Sequence, residues 1–149
     1  MRKVTPSKED YLKAIWTLSE RGTAARQEAM TNDLAEMLQV SPPAVSKMIK
    51  QMQAQSLVTH TPYYGVHLTE KGRSVALRIV RRHRLLELFL AKILNYPLDT
   101  VHNEAERLEH HISATFEERI DILLGHPEYC PHGSPIPKRN GTFPRETLN

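Results

Sequence analysis

Apolar residues recur with a helical period over most of the chain. Tyr11, Leu12, Ile15, Trp16 and Leu18 form one stripe, which predicts a helix from Ser7 to Arg21, with Asp10 at the third place of a capping box and Gly22 as its stop. A short second helix opens at Thr31 and runs to Leu38. Gln39-Val40-Ser41 then turns the chain, and Ser41-Pro42-Pro43 starts a third helix that reaches about Gln55 and buries Val45, Met48, Ile49 and Met52. Serine suits that cap, and proline suits the first turn, where its missing N–H removes no helix hydrogen bond. Two short strands, Leu57–Thr61 and Val66–Thr69, flank Pro62-Tyr63-Tyr64-Gly65 as a hairpin. Thr69 caps a long helix that ends near Asn95-Tyr96-Pro97. A further helix covers about Asp99–His111, and Ser113 opens a last one stopped by Gly125. Beyond it Pro127, Pro131, Pro135, Pro137 and Pro144 make the chain mostly irregular.

The pattern describes a mainly α protein. A short helix, a three-residue turn, a helix with a Ser-Pro-Pro start and a hairpin make a winged helix-turn-helix domain, expected over residues 1–70. An all-helical domain is expected over 71–137, and a flexible tail over 138–149. The helix after Thr69 carries Val75, Leu77, Ile79, Val80, Leu85, Leu86, Leu88, Phe89, Leu90, Ile93 and Leu94, more than one packing stripe needs. In a chain of 149 residues part of that cover is expected from a second copy, so a homodimer is predicted.

Composition narrows the function classes. A 40% hydrophobic share supports a packed core, and the single cysteine, Cys130, excludes a disulfide framework within one chain. The longest apolar stretch, Leu85 to Leu94, is broken by Glu87 and Lys92, too short and too charged to span a membrane. Glu9, Asp10 and Lys13 interrupt any signal-peptide core near Met1, so a cytoplasmic location is expected. Net charge is +3, but residues 1–84 hold 14 Lys and Arg against 7 Asp and Glu, whereas residues 85–149 hold 6 against 10. A basic half beside an acidic one suggests a polyanion-binding module joined to a cation-binding one, although solvated charged faces also produce such asymmetry.

The third helix has the chemistry of a DNA reader. Ser41, Pro42 and Pro43 make a small, pre-organised leading end, followed by Ser46 and Lys47 within reach of base edges and Lys50 within reach of a phosphate. Tyr64 stands at the tip of the wing. In the acidic half, His102, Glu106, Glu109 and His110 fall within an arc of roughly 100° on one helix, with His111 on the opposite side. Two carboxylates and two imidazoles on one stripe repel one another or take up a cation. His83 and Glu87, four apart, share another face, and His126 and His132 flank Cys130 in sequence. Cys130 also suits a small buried hydrophobe. No HExxH, nucleophile elbow or glycine-rich phosphate loop is present, so no enzyme activity and no small-molecule substrate are expected.

The runs RRHRLLELFLAKIL, VHNEAERLEHHIS and LLGHPEYCPHGSPIP, together with the winged-helix pattern, resemble the diphtheria-toxin-repressor and manganese-transport-regulator (DtxR/MntR) family of metal-activated transcription regulators, over about residues 7–137. The resemblance implies a helical dimerisation domain and a symmetric homodimer on palindromic operator DNA. It implies a primary metal site of Asp10, Glu106, Glu109, His110 and Cys130, and an ancillary site of His83, Glu87 and His102. Iron-responsive members carry Met and Cys where this chain has Asp10 and Glu106. Hard oxygen donors there favour Mn2+, with Fe2+ the alternative and Co2+, Zn2+ or Cd2+ as surrogates. Some manganese regulators have a further Glu one turn after the Asp; here Lys13 stands there. Longer members append a β-barrel domain, and with the sequence ending at Asn149 none is expected here.

The function this implies is a Mn2+-responsive repressor of metal-uptake genes. A metal-independent winged-helix regulator, whose His/Glu stripe is merely solvated, is one rival reading. A small hydrolytic metalloenzyme is the other.

Overall fold

The computed structural model describes residues 4–19 and 29–144. The chain divides into two compact units, Met1–Ala76 and Leu77–Asn149. The first holds α1 (Pro6–Ser19), α2 (Thr31–Leu38), α3 (Pro42–Ala54), β1 (Val58–Thr61) and β2 (Gly65–Leu68). Helix α4 (Glu70–Lys92) begins in the first unit and continues into the second, which also holds α5 (Val101–Leu108) and α6 (Ala114–Leu123).

In the first unit α1 packs on α2 and β2, α2 on α3, and α3 on β1. Leu12, Ile15, Leu34, Val45, Ile49, Met52, Leu57 and Val66 are its fully buried centre. Helix α1 starts two residues earlier than a cap at Ser7 predicts. Thr5 Oγ1 accepts from Lys8 N and Thr5 O from Glu9 N, so Thr5, not Ser7, is the cap. Pro6, with its preset φ, takes the first helical position and leaves Asp10 inside the helix, outside any capping box. The predicted stop at Arg21-Gly22 lies outside the described residues.

Between α2 and α3, Gln39 adopts a left-handed conformation and Ser41 caps α3 through its side chain to Ala44 N, as its sequence predicts. The wing is an antiparallel pair with Val58 opposite Leu68 and Thr61 opposite Gly65. Ala29 adds a bridge to Val66, its carbonyl accepting from Val66 N at 2.8 Å. Gly65, at φ +84°, must be glycine, because a Cβ there would press on the Ala29 carbonyl. Thr69 caps α4 by accepting from Gly72 N, while its hydroxyl donates to Ser56 O. The first turn of α4 lies so close on the wing's entry that a Cβ at Gly72 would overlap the Leu57 carbonyl oxygen.

The second unit is organised around α4. Leu85, Leu86, Leu88 and Leu90 pack with Val101, Ala105, Ile120, Cys130 and Ile136 in one buried cluster. Helix α5 is shorter than its pattern suggests and closes at Leu108, not His111. His111 N bonds to Leu108 O, tightening the chain into a turn. The reason is the next helix: Ser113, its cap at ψ 165°, is extended and accepts from Phe116 N, so the backbone must leave the helical region beforehand. Gly125, at φ +76°, stops α6 as predicted.

Among the described residues, the segment after α6 holds a small hairpin and, beyond it, a turn in which Lys138 N donates to Thr142 O and Gly141 N to Lys138 O. In the hairpin, Ile136 N donates to Glu128 O, Tyr129 bridges Pro135, and Cys130 N donates to Ser134 O. Pro131 follows Cys130, Gly133 N donates to Cys130 O, and Gly133 has φ +86°. The run Cys130-Pro131-His132-Gly133 thus builds a three-residue loop with its left-handed glycine last. Among the described residues, no helix is long and apolar enough to cross a membrane.

Candidate metal centre and nucleic-acid interface

Helix α3 turns Val45, Ile49 and Met52 inward, which leaves Ser46, Lys47 and Lys50 exposed. Ser41, Pro42 and Pro43 at its start are exposed as well, and so is Tyr64 on the wing. Every residue assigned to DNA contact from sequence therefore faces solvent. Tyr63 was not singled out from sequence, yet it is 92% exposed at the wing tip, with φ +70°. Its signal is the neighbouring Gly65, since such tight wing turns force a residue into the left-handed region.

The second unit gathers ionisable side chains at a buried position. His83 and Glu87, one turn apart on α4, are both buried. His83 Nδ1 lies 2.6 Å from Oε1 of the fully buried Glu109. A carboxylate accepts, so Nδ1 carries a proton, and Nε2 has a lone pair to offer whenever the ring is neutral. Nε2 lies 3.1 Å from His102 Nδ1 and 3.3 Å from Glu87 Oε2. His102 Nδ1 and His132 Nδ1 also approach that oxygen, at 3.5 Å and 3.6 Å.

Glu87 Oε2 is buried and, among the described residues, has no hydrogen-bond partner despite these three imidazole nitrogens. Burial pushes the Glu87 carboxyl up, but interaction with His83, and the charges of His132 and His102, outweigh it and hold the carboxyl below its ordinary range. An ionised oxygen without a hydrogen bond, ringed by nitrogen donors, is the environment a cation fills.

Two donor sets meet at Glu87. His83, Glu87 and His102 offer ligand atoms within 4.8 Å of one another, and so do Glu87, Cys130 and His132. His83, Glu87 and His102, the ancillary set that the family resemblance implies, lie together. The structure brings Cys130 beside Glu87 and His132, and it shows the thiol inside the apolar cluster, so the residue is both core and potential ligand. His132, near Cys130 in sequence, was left out of the predicted ligands; the Cys130–Gly133 turn is the signal that puts it in reach.

Glu109 and His110 lie in the turn after α5, with His110 Nε2 3.7 Å from Glu109 Oε2. Glu106, half-exposed on α5, stands 3.2 Å from His102 Nε2. His111 is exposed, whereas the His110 side chain is 8% exposed. Asp10 sits half-buried on α1 in the first unit.

Comparison with known proteins fits both halves of this picture. Residues 3–66 match the N-terminal DNA-binding domain of iron-dependent repressors, and residues 69–138 match their metal-binding and dimerisation domain. The HTH-type transcriptional regulator MntR of Bacillus subtilis is 38% identical over 120 residues, covering 80% of this chain and 81% of MntR. The iron-dependent repressor IdeR of Mycobacterium tuberculosis is 35% identical over 137 residues, covering 92% of this chain but 58% of IdeR. A solved manganese-dependent transcriptional repressor in complex with manganese superposes with a TM-score of 0.83 at 44% identity, covering 93% of this chain and 62% of that one. The chain thus spans about three fifths of the length of IdeR and of that repressor. With a winged DNA-binding unit and a carboxylate–imidazole centre in the matching order, the chain belongs to the DtxR/MntR family of metal-dependent transcriptional repressors.

Proposed function

We propose that the protein is a cytoplasmic, metal-activated repressor that binds palindromic operator DNA as a homodimer, with Mn2+ as its activating ion and metal-uptake genes as its targets. The observation that carries the metal half is the buried Glu87 Oε2, without a hydrogen bond among the described residues and facing His83, His102 and His132. His83, Glu87 and His102 are proposed as the ancillary ligands. Glu106, Glu109 and His110 are proposed as primary ligands, and Cys130, whose thiol also lies within reach of Glu87 and His132, joins them by family resemblance. Family resemblance also assigns Asp10 to that set.

The ion supplies positive charge that lets several carboxylates share one small volume. The protein's own contribution is orientation: His83, by donating to Glu109, presents its lone pair to the centre. Metal binding then selects the DNA-competent population, and no chemical step is involved. Oxygen donors at Asp10 and Glu106 favour Mn2+. The Fe2+ reading is favoured by one observation, the Cys130 thiol beside Glu87 and His132, because a sulfur donor suits softer ions.

The test is a mobility shift on operator-containing DNA with Mn2+, with Fe2+ held anaerobically, and with chelator. Retarded DNA with Mn2+ that is released by chelator is the expected result. Binding indifferent to metal would leave a metal-independent winged-helix regulator. Metal uptake with no DNA binding under any condition would remove the regulatory reading.

A further inference from the structure

The hairpin that carries Cys130 and His132 has little regular structure to hold it. Its arm after Gly133 alternates Pro135, Ile136 and Pro137, so only Ile136 among the three has an N–H to give, and it donates to Glu128 O. Two arginines of α4 reach the proline carbonyls on either side. Arg84 Nη1 donates to Pro135 O at 2.5 Å, and Arg81 Nη1 donates to Pro137 O at 3.1 Å. Both arginines are buried, at 7% and 6% exposure. Arg81 is itself fixed by Glu117, 2.8 Å from its Nε, and by Asp121. Ile136, between the two anchored carbonyls, is 2% exposed in the apolar cluster that also holds Cys130. Arg84 follows His83 directly and lies one turn before Glu87, so the anchor and the two α4 donors belong to the same stretch of helix.

We propose that Arg81 and Arg84 are positioning residues for the metal centre, tying the Cys130–His132 hairpin to the helix that presents His83 and Glu87. The proposal rests on the metal-binding reading above and adds to it how this loop is brought to the site. A buried guanidinium on a carbonyl is directional, and it holds two segments at one separation where apolar packing alone would let them slide. The loop's donors therefore reach Glu87 already arranged, and losing an anchor is expected to lower metal affinity by about 10- to 100-fold, as loss of an orienting partner typically does.

The experiment compares Arg84→Gln, Arg84→Lys and a core control, Leu88→Ala, in the full chain. In the metal-free protein, the rate of Cys130 alkylation is measured. Arg84→Gln is expected to raise it about ten-fold as the hairpin loosens, with Arg84→Lys in between, because an ammonium can still donate to the carbonyl but lacks the rigid guanidinium fork. Anaerobic Co2+ titration then follows the thiolate-to-cobalt absorption in the near ultraviolet. Wild type is expected to show the band, Arg84→Gln to lose most of it along with affinity, and Leu88→Ala to keep it. If Arg84→Gln alkylates and binds Co2+ like wild type, the positioning role is overturned. If Leu88→Ala changes as much as Arg84→Gln, the effect is general loosening and the role is equally overturned. Should Arg84→Gln fail to fold, Arg84→Lys set against Leu88→Ala decides by the same two readings. A wild type that binds Co2+ with no thiolate band removes Cys130 from the ligands and this proposal with it. A wild type that binds no Co2+ at all overturns the metal reading itself.

Discussion

The charged side chains proposed for DNA contact and those around the metal centre stand in opposite surroundings. In the first unit, Ser46, Lys47 and Lys50 stand in solvent on a helix whose apolar face does the folding work. In the second unit, Arg81, His83, Arg84, Glu87, Glu109 and Glu117 are buried, and each must find a partner or remain a strong acceptor or donor without one. A charge left in water remains available to an outside polyanion such as DNA phosphate. A charge taken out of water either becomes part of the scaffold, as Glu117 has between Arg81 and Arg82, or stays without a hydrogen bond among the described residues, as Glu87 Oε2 does. The contrast predicts that removing an exposed charge of α3 changes binding alone, whereas removing a buried charge of the second unit changes stability or metal affinity.

The largest expected effect is at Glu117. Its two carboxylate oxygens accept from Arg81 Nε at 2.8 Å and Arg82 Nε at 2.7 Å, with all three side chains mostly buried. Glu117→Ala leaves both guanidiniums without that carboxylate and is expected to destabilise the second unit by about 3–5 kcal/mol, measured by urea unfolding. A change below about 1 kcal/mol would place this node with ordinary surface pairs and erase the contrast.

A smaller effect separates neighbouring histidines. His110→Ala is expected to lower Mn2+ affinity in equilibrium dialysis by at least about ten-fold, whereas His111→Ala, exposed in the same turn, keeps wild-type affinity. Equal losses at both positions would mean that burial does not distinguish ligand from bystander here. The smallest effect is at Lys50. Lys50→Ala is expected to shift stability by no more than about 0.5 kcal/mol and to reduce the salt dependence of DNA binding by about one charge. Lys47→Ala is expected to relax base preference as well, read by competition among operator variants. Unchanged binding at raised salt in both mutants would remove α3 from the DNA interface.

Much of the first unit was legible because its signals are local. Ser41-Pro42-Pro43 states a helix start, Gly65 a tight turn and Thr69 a cap, and each acts within a few residues. Where one local signal competed with another, as Thr5-Pro6 did with Ser7, the residue that satisfied the first orphan N–H groups while proline preset φ prevailed. The end of α5 was misread for the same kind of reason. Its His/Glu stripe continues past Leu108, but the extended conformation that Ser113 needs overrides it.

The sequence by itself determined which residues could do chemistry: the exposed polar start of α3, the His83–Glu87 pair one turn apart, and the glycine and prolines that close the Cys130 turn. These follow from helical period, turn stereochemistry and side-chain donors, none of which needs a distant partner. Only the tertiary structure decided where those groups meet. His83 reaches Glu109 across 26 positions, His132 arrives at Glu87, and the proline carbonyls at 135 and 137 find Arg84 and Arg81 more than fifty residues away. Such contacts depend on packing α4, α5 and the hairpin around one apolar cluster, and local patterning carries no record of that closure.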